Sequence, residues 1–280
     1  MKLGTFSKIF ARPRLEPALD ALSAAGLESA QFNFESAGLP PMPDELDPGL
    51  CRHIRLQFAK RNLELAALSG TYNMAHPDPA ERQLGLNRLR VMAAACKELG
   101  TGMITLCTGT RDPGYMWRTH PDNNTHEAWA DLVGSLEQAL PIAEEHRVVL
   151  AFEPEISNIV DSPTKARRLI DEMGSPWLKV CIDGANLFPT GTLERMSEVL
   201  HHAFDLLGGD IVLAHAKDLI ADGEAGNKPA GTGVLDYQLY LDLLQQAGFT
   251  GSLILHSLVE AEMPFSLGFV RDKLGVPSTR

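Results

Sequence analysis

Positive charge is scarce in this sequence. The 280 residues include 25 lysines and arginines against 36 aspartates and glutamates, which gives a formal net charge of −11. No cluster of basic residues offsets this balance locally. Because an acidic surface repels phosphate groups, the composition excludes a general nucleic-acid-binding protein and disfavours attachment to anionic membranes.

Cysteines and long apolar runs are also few. The four cysteines form no C-x-x-C pair, so we expect buried free thiols in a reducing compartment. The first residues, Met1–Phe6, lead into an apparent strand and lack the apolar region of a signal peptide. No apolar run reaches the roughly 20 residues that a membrane-spanning helix needs. These features predict a cytoplasmic protein that has neither a membrane nor a nucleic acid as its partner.

What the sequence does contain is an alternation of short apolar runs with amphipathic ones. The apolar runs carry β-branched or aromatic residues and are too short for most helices, which is typical of buried strands. Eight of them follow one another along the chain: Lys2–Phe6, Ser29–Phe34, Glu64–Ser69, Met103–Cys107, Val148–Phe152, Leu178–Ile182, Ile211–Ala214 and Ser252–Leu255.

Helical patterns occupy the segments between these runs. The pattern that starts with Ser162 and Pro163, a favoured capping pair, stops before Gly174, and the one that ends at Leu99 precedes Gly100. The predicted helices are Leu15–Ala25, Asp47–Arg61, Pro79–Leu99, Thr125–His146, Ser162–Met173, Leu193–Leu206, Asp236–Ala247 and Phe265–Leu274.

This alternation predicts an α/β fold. Strands that alternate with helices of this length form parallel βαβ units, and eight units in about 250 residues close into a (β/α)₈ TIM barrel. The alternative is an open doubly wound sheet, but no G-x-G-x-x-G turn follows any of the runs. Because the chain has no linker and no low-complexity segment, residues 1–280 are predicted to form a single domain.

Ionisable residues end four consecutive apolar runs in the second half of the chain. The fifth run ends in Glu153, the sixth in Asp183, the seventh in His215 and the eighth in His256. Since the carboxyl ends of barrel strands form the mouth where active sites of this fold lie, we expect these groups at one height. Carboxylates and imidazoles that lie this close together repel one another or lose hydration, and a bound cation would offset both costs.

We therefore predict that these four residues hold one divalent metal ion. A mixed set of carboxylate and imidazole ligands suits Mn²⁺, Co²⁺, Zn²⁺ or Fe²⁺ better than Ca²⁺, and Mg²⁺ also stays open. The alternative is that each residue is an isolated polar group at the rim. His256 has a further alternative, a hydrogen-bonded histidine of the core.

At these positions the chain resembles the xylose-isomerase-like barrel superfamily. That group includes sugar phosphate isomerases and epimerases, ketose 3-epimerases, hydroxypyruvate isomerases, inosose-processing enzymes and endonuclease IV. The resemblance covers nearly the whole chain, and its most specific segments are Phe152-Glu153-Pro154, Ile182-Asp183-Gly184 and His215-Ala216-Lys217-Asp218. In the superfamily a Glu, an Asp, a His and a second Glu hold one metal ion, which implies the first three roles for Glu153, Asp183 and His215.

Two positions depart from the superfamily pattern. The eighth strand offers His256 where a Glu is usual, and Asn186 stands three residues after Asp183 where a His is frequent. The epimerases that the chain resembles use two facing glutamates to remove and return a proton beside a carbonyl that the metal ion polarises. Glu153 is expected to be one such base. His256 is either the opposite acid/base or a fourth metal ligand that leaves no second base.

Further candidates lie near the strand ends. Lys217 comes two residues after His215, so their side chains face the same side of a strand, where the lysine would stabilise a developing oxyanion. The alternative for Lys217 is a solvated loop position. Residues 111–124 form a long loop, which is uncommon unless functional, and we interpret it as a substrate lid. The predicted substrate-binding residues are Asn73, His76, Trp117, Arg118, His120 and Asn186.

Taken with the resemblance, these residues predict a metal-dependent isomerase or epimerase of a sugar, keto-sugar or sugar acid, acting through an enediolate-type proton transfer. The alternatives are an inosose-type dehydratase or lyase on the same barrel and a barrel that binds its ligand without turnover. An endonuclease IV-like nuclease is disfavoured because the acidic charge and the small number of histidine candidates do not suit it. The expected partner is a small sugar-like substrate, and a homodimer stays open.

Overall fold

The computed structural model describes residues 1–276 and contains eight parallel strands that alternate with eight α-helices. The strands are β1 (Lys2–Phe6), β2 (Ser29–Phe32), β3 (Glu64–Ser69), β4 (Met103–Cys107), β5 (Val149–Glu153), β6 (Leu178–Asp183), β7 (Ile211–Asp218) and β8 (Ser252–Leu255). The helices are α1 (Leu15–Ala24), α2 (Pro48–Ala59), α3 (Pro79–Leu99), α4 (His126–His146), α5 (Pro163–Met173), α6 (Met196–Leu207), α7 (Tyr237–Gln246) and α8 (Met263–Lys273).

The eight strands close into a barrel. Each strand from β1 to β7 pairs in parallel with the next one along the chain, and β8 also pairs in parallel with β1. The sheet is therefore continuous around the barrel, which confirms the predicted (β/α)₈ fold and rules out the open doubly wound sheet. The predicted domain extends to residue 280, and its last four residues lie outside the described residues.

Most predicted element boundaries agree with the structure within two residues, and the largest difference is at β7. This strand was expected to end at Ala214 but continues to Asp218. The reason is a local antiparallel pairing, because Lys217 and Asp218 pair with the two-residue strand Lys228–Pro229. His215 and Lys217 therefore stand on a regular strand and not on a loop.

Local capping explains where the helices begin and end, and α5 illustrates it. Ser162 Oγ accepts a hydrogen bond from the Lys165 N–H, and Pro163 occupies the first helical position, where its missing N–H costs nothing. The helix ends at Gly174, whose φ of +57° is the left-handed conformation that glycine adopts without steric cost. Ser162 and Gly174 therefore cap the two ends of α5, as the sequence predicted.

The apolar core has two parts. The larger part lies between the strands and the surrounding helices, and a smaller cluster fills the inside of the barrel. The buried members of the inner cluster are Ala67, Ala151, Cys181, Leu213 and Ile254. Four of them lie two residues before the polar strand ends of β5 to β8, so alternation along the strand puts them on the same inward face, one layer deeper. This apolar layer forms the floor beneath the polar groups.

The cysteine side chains lie inside the fold. All four cysteines are free and buried, as predicted. Burial raises the pKa of the Cys96 thiol to about 12, so this thiol is protonated and unreactive at neutral pH. Within residues 1–276, no helix is long and apolar enough to cross a bilayer.

Candidate active site

Four neighbouring strands bring the predicted metal-binding side chains to the mouth of the barrel. Glu153 and Asp183 are the last residues of β5 and β6, His215 lies within β7, and His256 follows β8 directly. Asp183 is fully buried and His215 is 2% exposed. The register pairs Asp183 with His215 across β6 and β7, so the four groups stand at nearly one height.

The polar atoms of these side chains lie close together, with His215 at the centre. His215 Nδ1 lies 3.4 Å from Glu153 Oε2 and 3.9 Å from Asp183 Oδ2. His256 Nε2 lies 3.1 Å from the same Asp183 oxygen. Ligand atoms of Asp183, His215 and His256 all lie within 4.8 Å of one another. Glu153 belongs to a second such group, with Cys181 and His215, so His215 links it to the other two predicted ligands.

The donor set fits a divalent cation. His215 Nδ1 is buried and has no hydrogen-bond partner among residues 1–276, although it faces two carboxylates. A buried nitrogen in this state costs desolvation free energy that is not recovered. A cation placed among Glu153, Asp183, His215 and His256 would bind that nitrogen and offset the repulsion between the two carboxylates.

Lys217 brings a positive charge into the same cluster. Its Nζ lies 3.5 Å from Asp183 Oδ2, and the residue is 7% exposed. Burial opposes the charged form of Lys217, but Asp183 and Glu153 outweigh it and raise the pKa of the ammonium. Burial likewise opposes the charged form of Asp183, but Lys217 and His256 outweigh it and lower the pKa of that carboxyl. A charged lysine therefore faces the predicted metal site and is not a solvated loop residue.

Burial has the opposite outcome at two further groups. It lowers the pKa of His256 to about 4, so its imidazole is neutral at pH 7 and its Nε2 donates to Asp183 Oδ2. It raises the pKa of Glu155 to about 7, and the charge of Glu153 adds to this shift. The carboxyl groups at the mouth therefore differ in acidity: the pKa values of Glu153 and Asp183 are lowered, and that of Glu155 is raised.

A cavity of about 630 Å³ opens above the cluster, and Glu153, His215 and His256 form part of its wall. This volume lies in the range typical of small-molecule sites. Residues from several different loops complete the wall, among them Lys8, Asn33, Thr71, Trp117, Glu155 and Glu224. The cavity is therefore bordered by hydroxyl, amide and carboxylate groups together with one indole ring, a surface suited to a polyhydroxy compound.

Two of the predicted substrate-binding residues lie at this site. Trp117, on the loop after β4, lines the cavity. Asn186 follows β6 and is 1% exposed; its Nδ2 donates to Glu153 Oε1 at 2.5 Å. The amide thus fixes one oxygen of the glutamate and leaves the other, Oε2, facing His215.

The two candidates from the loop after β3 lie outside the cavity wall. Asn73 bridges two loops, because its Nδ2 donates to Thr110 O and its Oδ1 accepts from Thr110 N. His76 Nε2 lies 3.2 Å from Pro113 O. In this structure both side chains connect the loop after β3 with the loop after β4.

The remaining two candidates belong to the loop after β4 and are not part of the cavity wall. Arg118 forms an ion pair with Asp112, at 3.0 Å, and lies over the Tyr115 ring. His120 Nδ1 accepts a hydrogen bond from the Asp122 N–H and caps a short 3₁₀ turn. These contacts hold the loop in shape, while Trp117 points inward from it.

Sequence reasoning missed several residues of the site. Gln31 contacts His215, and the Phe6 ring stacks on His256 with ring centres 4.9 Å apart. Gln31 had a usable signal, since it alternates along β2 with Ala30 and Phe32, which pack into the outer core. A polar residue between two apolar ones on a barrel strand points inward.

A glycine-rich segment, residues 230–233, lies between β7 and α7. The Gly231 N–H donates to Asp218 Oδ2, and the Leu235 N–H donates to Asp218 Oδ1. Because a carboxylate already accepts from these backbone groups, the segment forms a turn that is tied to the end of β7.

Comparisons with known proteins agree with this architecture. A family model described as xylose isomerase-like TIM barrel matches residues 19–270. The chain is 25% identical over 195 residues to L-ribulose-5-phosphate 3-epimerase UlaE of Escherichia coli strain ATCC 8739. That alignment covers 69% of this chain and 63% of the relative, so it spans less than two thirds of the relative's length.

Solved structures share the fold over nearly the whole chain. The 3-keto-D-glucoside 4-epimerase YcjR from E. coli superposes with a TM-score of 0.73 at 17% identity, covering 97% of this chain and 99% of that one. A structure of L-ribulose 3-epimerase gives a TM-score of 0.73 at 17% identity, with coverage of 98% and 94%. At these identities the likeness establishes the architecture.

Proposed function

The chain belongs to the xylose isomerase-like TIM barrel family, and from this premise we propose that it is a metal-dependent isomerase or epimerase of a keto-sugar. One observation carries the proposal. The buried His215 Nδ1, which has no hydrogen-bond partner in the part of the chain that the structure describes, faces two carboxylates at the wall of a cavity of about 630 Å³. The names of the relatives, which are sugar epimerases, support the same class of reaction.

Glu153, Asp183, His215 and His256 would hold the cation. When bound, a divalent ion supplies a Lewis acid that polarises the carbonyl and hydroxyl oxygens of a ketose. We assign His256 to the ligand set because one of its ring nitrogens lies within 4.8 Å of ligand atoms of Asp183 and His215, and a bound cation would replace the hydrogen bond between its Nε2 and Asp183. This assignment takes the imidazole away from the acid/base role that was its alternative.

Glu153 is the proposed base. Its Oε1 is held by Asn186, so the carboxylate has a fixed orientation at the cavity wall. From there it would take a proton from the carbon beside the carbonyl and return it to the former carbonyl carbon while a proton moves from the hydroxyl to the carbonyl oxygen, which isomerises the ketose. Epimerisation at the first carbon would need a second group to deliver a proton to the opposite face of the intermediate. The Lys217 ammonium, which also lines the cavity, would stabilise the negative charge that develops on the substrate oxygen.

The charges of the wall favour a substrate without a phosphate group. Two lysines line the cavity, and each already has a carboxylate partner: Lys8 pairs with Glu35 at 3.3 Å, and Lys217 faces Asp183. Glu155 and Glu224 add acidic groups to the same wall. A phosphate carries close to two negative charges at neutral pH and would meet these carboxylates. We therefore propose an uncharged ketose as the substrate class.

The test is proton exchange with solvent. Purified protein is loaded with Mn²⁺, Co²⁺ or Mg²⁺ and incubated in D₂O with a panel of ketoses, their 5-phosphates, sugar acids and inososes. The expected result is deuterium at a carbon next to the carbonyl together with an epimer or isomer of equal mass apart from the label. An uncharged ketose should exceed its phosphate in kcat/KM by about tenfold or more, the effect of roughly 1.4 kcal/mol of charge repulsion.

Several outcomes would contradict parts of this proposal. Loss of water from an inosose would indicate the dehydratase, and binding without exchange would indicate a barrel without turnover. A phosphorylated ketose that reacts faster than the free sugar would overturn the substrate class while leaving the reaction intact. Glu153→Gln is the control for exchange by contaminating enzymes, because it should abolish the label in any true reaction of this site.

A further inference from the structure

Gln31 lies on the inner face of β2 and is 2% exposed. Its amide makes three hydrogen-bond contacts of 2.9 Å, with Ser69 Oγ on β3, Thr105 Oγ1 on β4 and His215 Nε2 on β7. The side chain thus crosses the interior of the barrel from β2 to the proposed metal ligand on β7. All of its polar atoms are used within the protein.

The neighbouring hydroxyls determine which way the Gln31 amide points. Thr105 Oγ1 donates its own hydrogen to the Leu68 carbonyl, so it accepts from Gln31 Nε2. Ser69 Oγ also accepts from Gln31 Nε2. The amide nitrogen therefore faces β3 and β4, and Oε1 is left to face His215 Nε2.

An amide oxygen accepts hydrogen bonds only, so His215 must present an N–H at Nε2. In a neutral imidazole the other nitrogen, Nδ1, then carries the lone pair. That nitrogen is the one that faces Glu153 and Asp183 without a hydrogen-bond partner in the described part of the chain. The orientation of the Gln31 amide and the lone pair at His215 Nδ1 both follow from this one hydrogen-bond network.

We propose that Gln31 is a positioning residue that holds His215 in the tautomer able to bind a cation and thereby sets the affinity of the site. The inference rests on the cation site proposed above and deepens it. Outer partners of metal-binding histidines typically contribute 10- to 100-fold to metal affinity, because they fix the tautomer and the orientation of the ring. Loss of the Gln31 oxygen should have an effect of this size.

The experiment measures Mn²⁺ affinity without reference to turnover. Free Mn²⁺ is followed by electron paramagnetic resonance during titration of wild type, Gln31→Leu and Gln31→Glu. Gln31→Leu removes the acceptor and should weaken binding about 10- to 100-fold. Gln31→Glu keeps an oxygen toward His215 Nε2, and the Ser69 hydroxyl can donate to the other oxygen, so its Mn²⁺ affinity should stay within about threefold of wild type.

A matched control is Gln57→Leu, which replaces another buried glutamine on α2, where the side chain contacts Arg61. Its Mn²⁺ affinity should equal that of wild type. The second measurement is the ¹⁵N spectrum of His215 in the metal-free protein. Wild type and Gln31→Glu should show a protonated Nε2 and an unprotonated Nδ1, whereas Gln31→Leu should show a mixture of the two tautomers.

The outcomes separate the two proposals. Wild type that binds no Mn²⁺ would overturn the proposed cation site. Wild type and Gln31→Leu that bind Mn²⁺ equally would overturn the role of Gln31 and leave the site in place. If Gln31→Leu does not fold, the spectrum of wild type still decides, because a protonated Nδ1 contradicts the inference and an unprotonated one supports it.

Discussion

Strand β6 connects two clusters of charged side chains at opposite ends of the barrel. At its amino end, Lys179 Nζ lies 2.5 Å from Asp210 Oδ1, and Arg167 Nη1 lies 2.7 Å from the other Asp210 oxygen. At its carboxyl end, Asp183 lies 3.5 Å from Lys217 Nζ, beyond ordinary charge-assisted hydrogen-bond length. The same strand thus carries a tightly paired cluster and a loosely paired one.

The difference lies in what each cluster leaves unpaired. Both Asp210 oxygens have a cationic donor at short distance, so that cluster has no capacity for another ligand. At the mouth, Glu153 and Asp183 face a histidine nitrogen that has no hydrogen-bond partner within residues 1–276. The cluster at the amino end pairs both oxygens of its carboxylate, although Arg167 Nε in it has no hydrogen-bond partner within residues 1–276, whereas the cluster at the mouth leaves a histidine nitrogen that could bind a ligand. In this barrel the two ends divide these tasks.

The largest effect should follow Glu153→Gln. The amide keeps the size of the side chain but cannot accept a proton from the substrate, so kcat should fall by about 10²- to 10⁴-fold. The measurement is deuterium exchange into the ketose that wild type turns over best. Because Glu153 serves the ligand and not the fold, the midpoint of thermal unfolding of the metal-free protein should not decrease. A variant that exchanges at the wild-type rate would remove Glu153 from the proposed chemistry.

The second prediction compares Asp183 and Asp210, the carboxylates at the two ends of β6. Asp183→Asn should weaken Mn²⁺ binding by more than about 100-fold, since a ligand matters more than the outer partner of a ligand. Asp210→Asn changes the same chemical group at the other end of the barrel and should leave Mn²⁺ affinity unchanged. Calorimetric titration of both variants measures the contrast. Equal weakening in the two would mean that the substitutions act through the fold.

The sequence predicted the fold and the centre of the site for the same physical reason. Parallel strands in a barrel end at one face, so residues that end consecutive apolar runs must meet there. Glu153, Asp183, His215 and His256 follow this rule: Asp183, His215 and His256 lie together, Glu153 contacts His215, and their role as ligands of one metal ion stays a prediction. Only chain order and periodicity are needed to reach this result.

Loops do not follow such a rule, which is why the outer residues of the site were harder to predict. Asn73, His76, Arg118 and His120 have the chemistry of substrate-binding groups, but in the structure they bind loop backbone or loop carboxylates. Polar side chains in long loops must also satisfy backbone groups, and composition does not distinguish the two uses. Gln31 was missed for a different reason: it does contact a residue of the site, but that residue, His215, lies 184 positions away in the sequence.

The loop after β4 also combines a paired charged cluster with a residue of the cavity wall. Ion pairs hold its base, and Trp117 lies farther along the loop. Arg111 and Arg82 both bind Asp131 on α4, with Arg82 Nη2 at 2.9 Å. Asp131→Asn should lower the free energy of unfolding by about 2 kcal/mol, the usual scale for hydrogen bonds to a charged group. Since Trp117 would be less well held, KM should also rise while kcat changes less.

Urea unfolding and initial rates test the two effects of Asp131→Asn together. Glu127→Gln is the control, because Glu127 also pairs with Arg111 but is largely exposed and should contribute little. Unchanged KM with the predicted loss of stability would show that the position of Trp117 does not depend on this anchor. The lid interpretation of the loop would then lose its support.

The smallest effect should come from Asp210→Asn, and it should depend on pH. Burial opposes the charged form of Asp210, but hydrogen bonds from Lys179 and Arg167 outweigh it and lower the pKa in the folded protein. The folded state therefore binds a proton less readily than the unfolded state does. The resulting stabilisation is fully present above the unfolded pKa, near 3.8, and is lost as the pH falls through the lower folded value.

Asp210→Asn should accordingly cost about 1 kcal/mol or less at pH 7, because the pair is only partly buried, and the difference from wild type should shrink below about pH 4. Urea unfolding of both proteins without metal at a series of pH values measures this difference. Glu153 and Asp183 also titrate in acid, but they are present in both proteins, so their contributions cancel in the comparison. A difference that stays constant down to pH 3 would mean that Asp210 acts through packing, and the contrast between the two ends of β6 would no longer be one of charge.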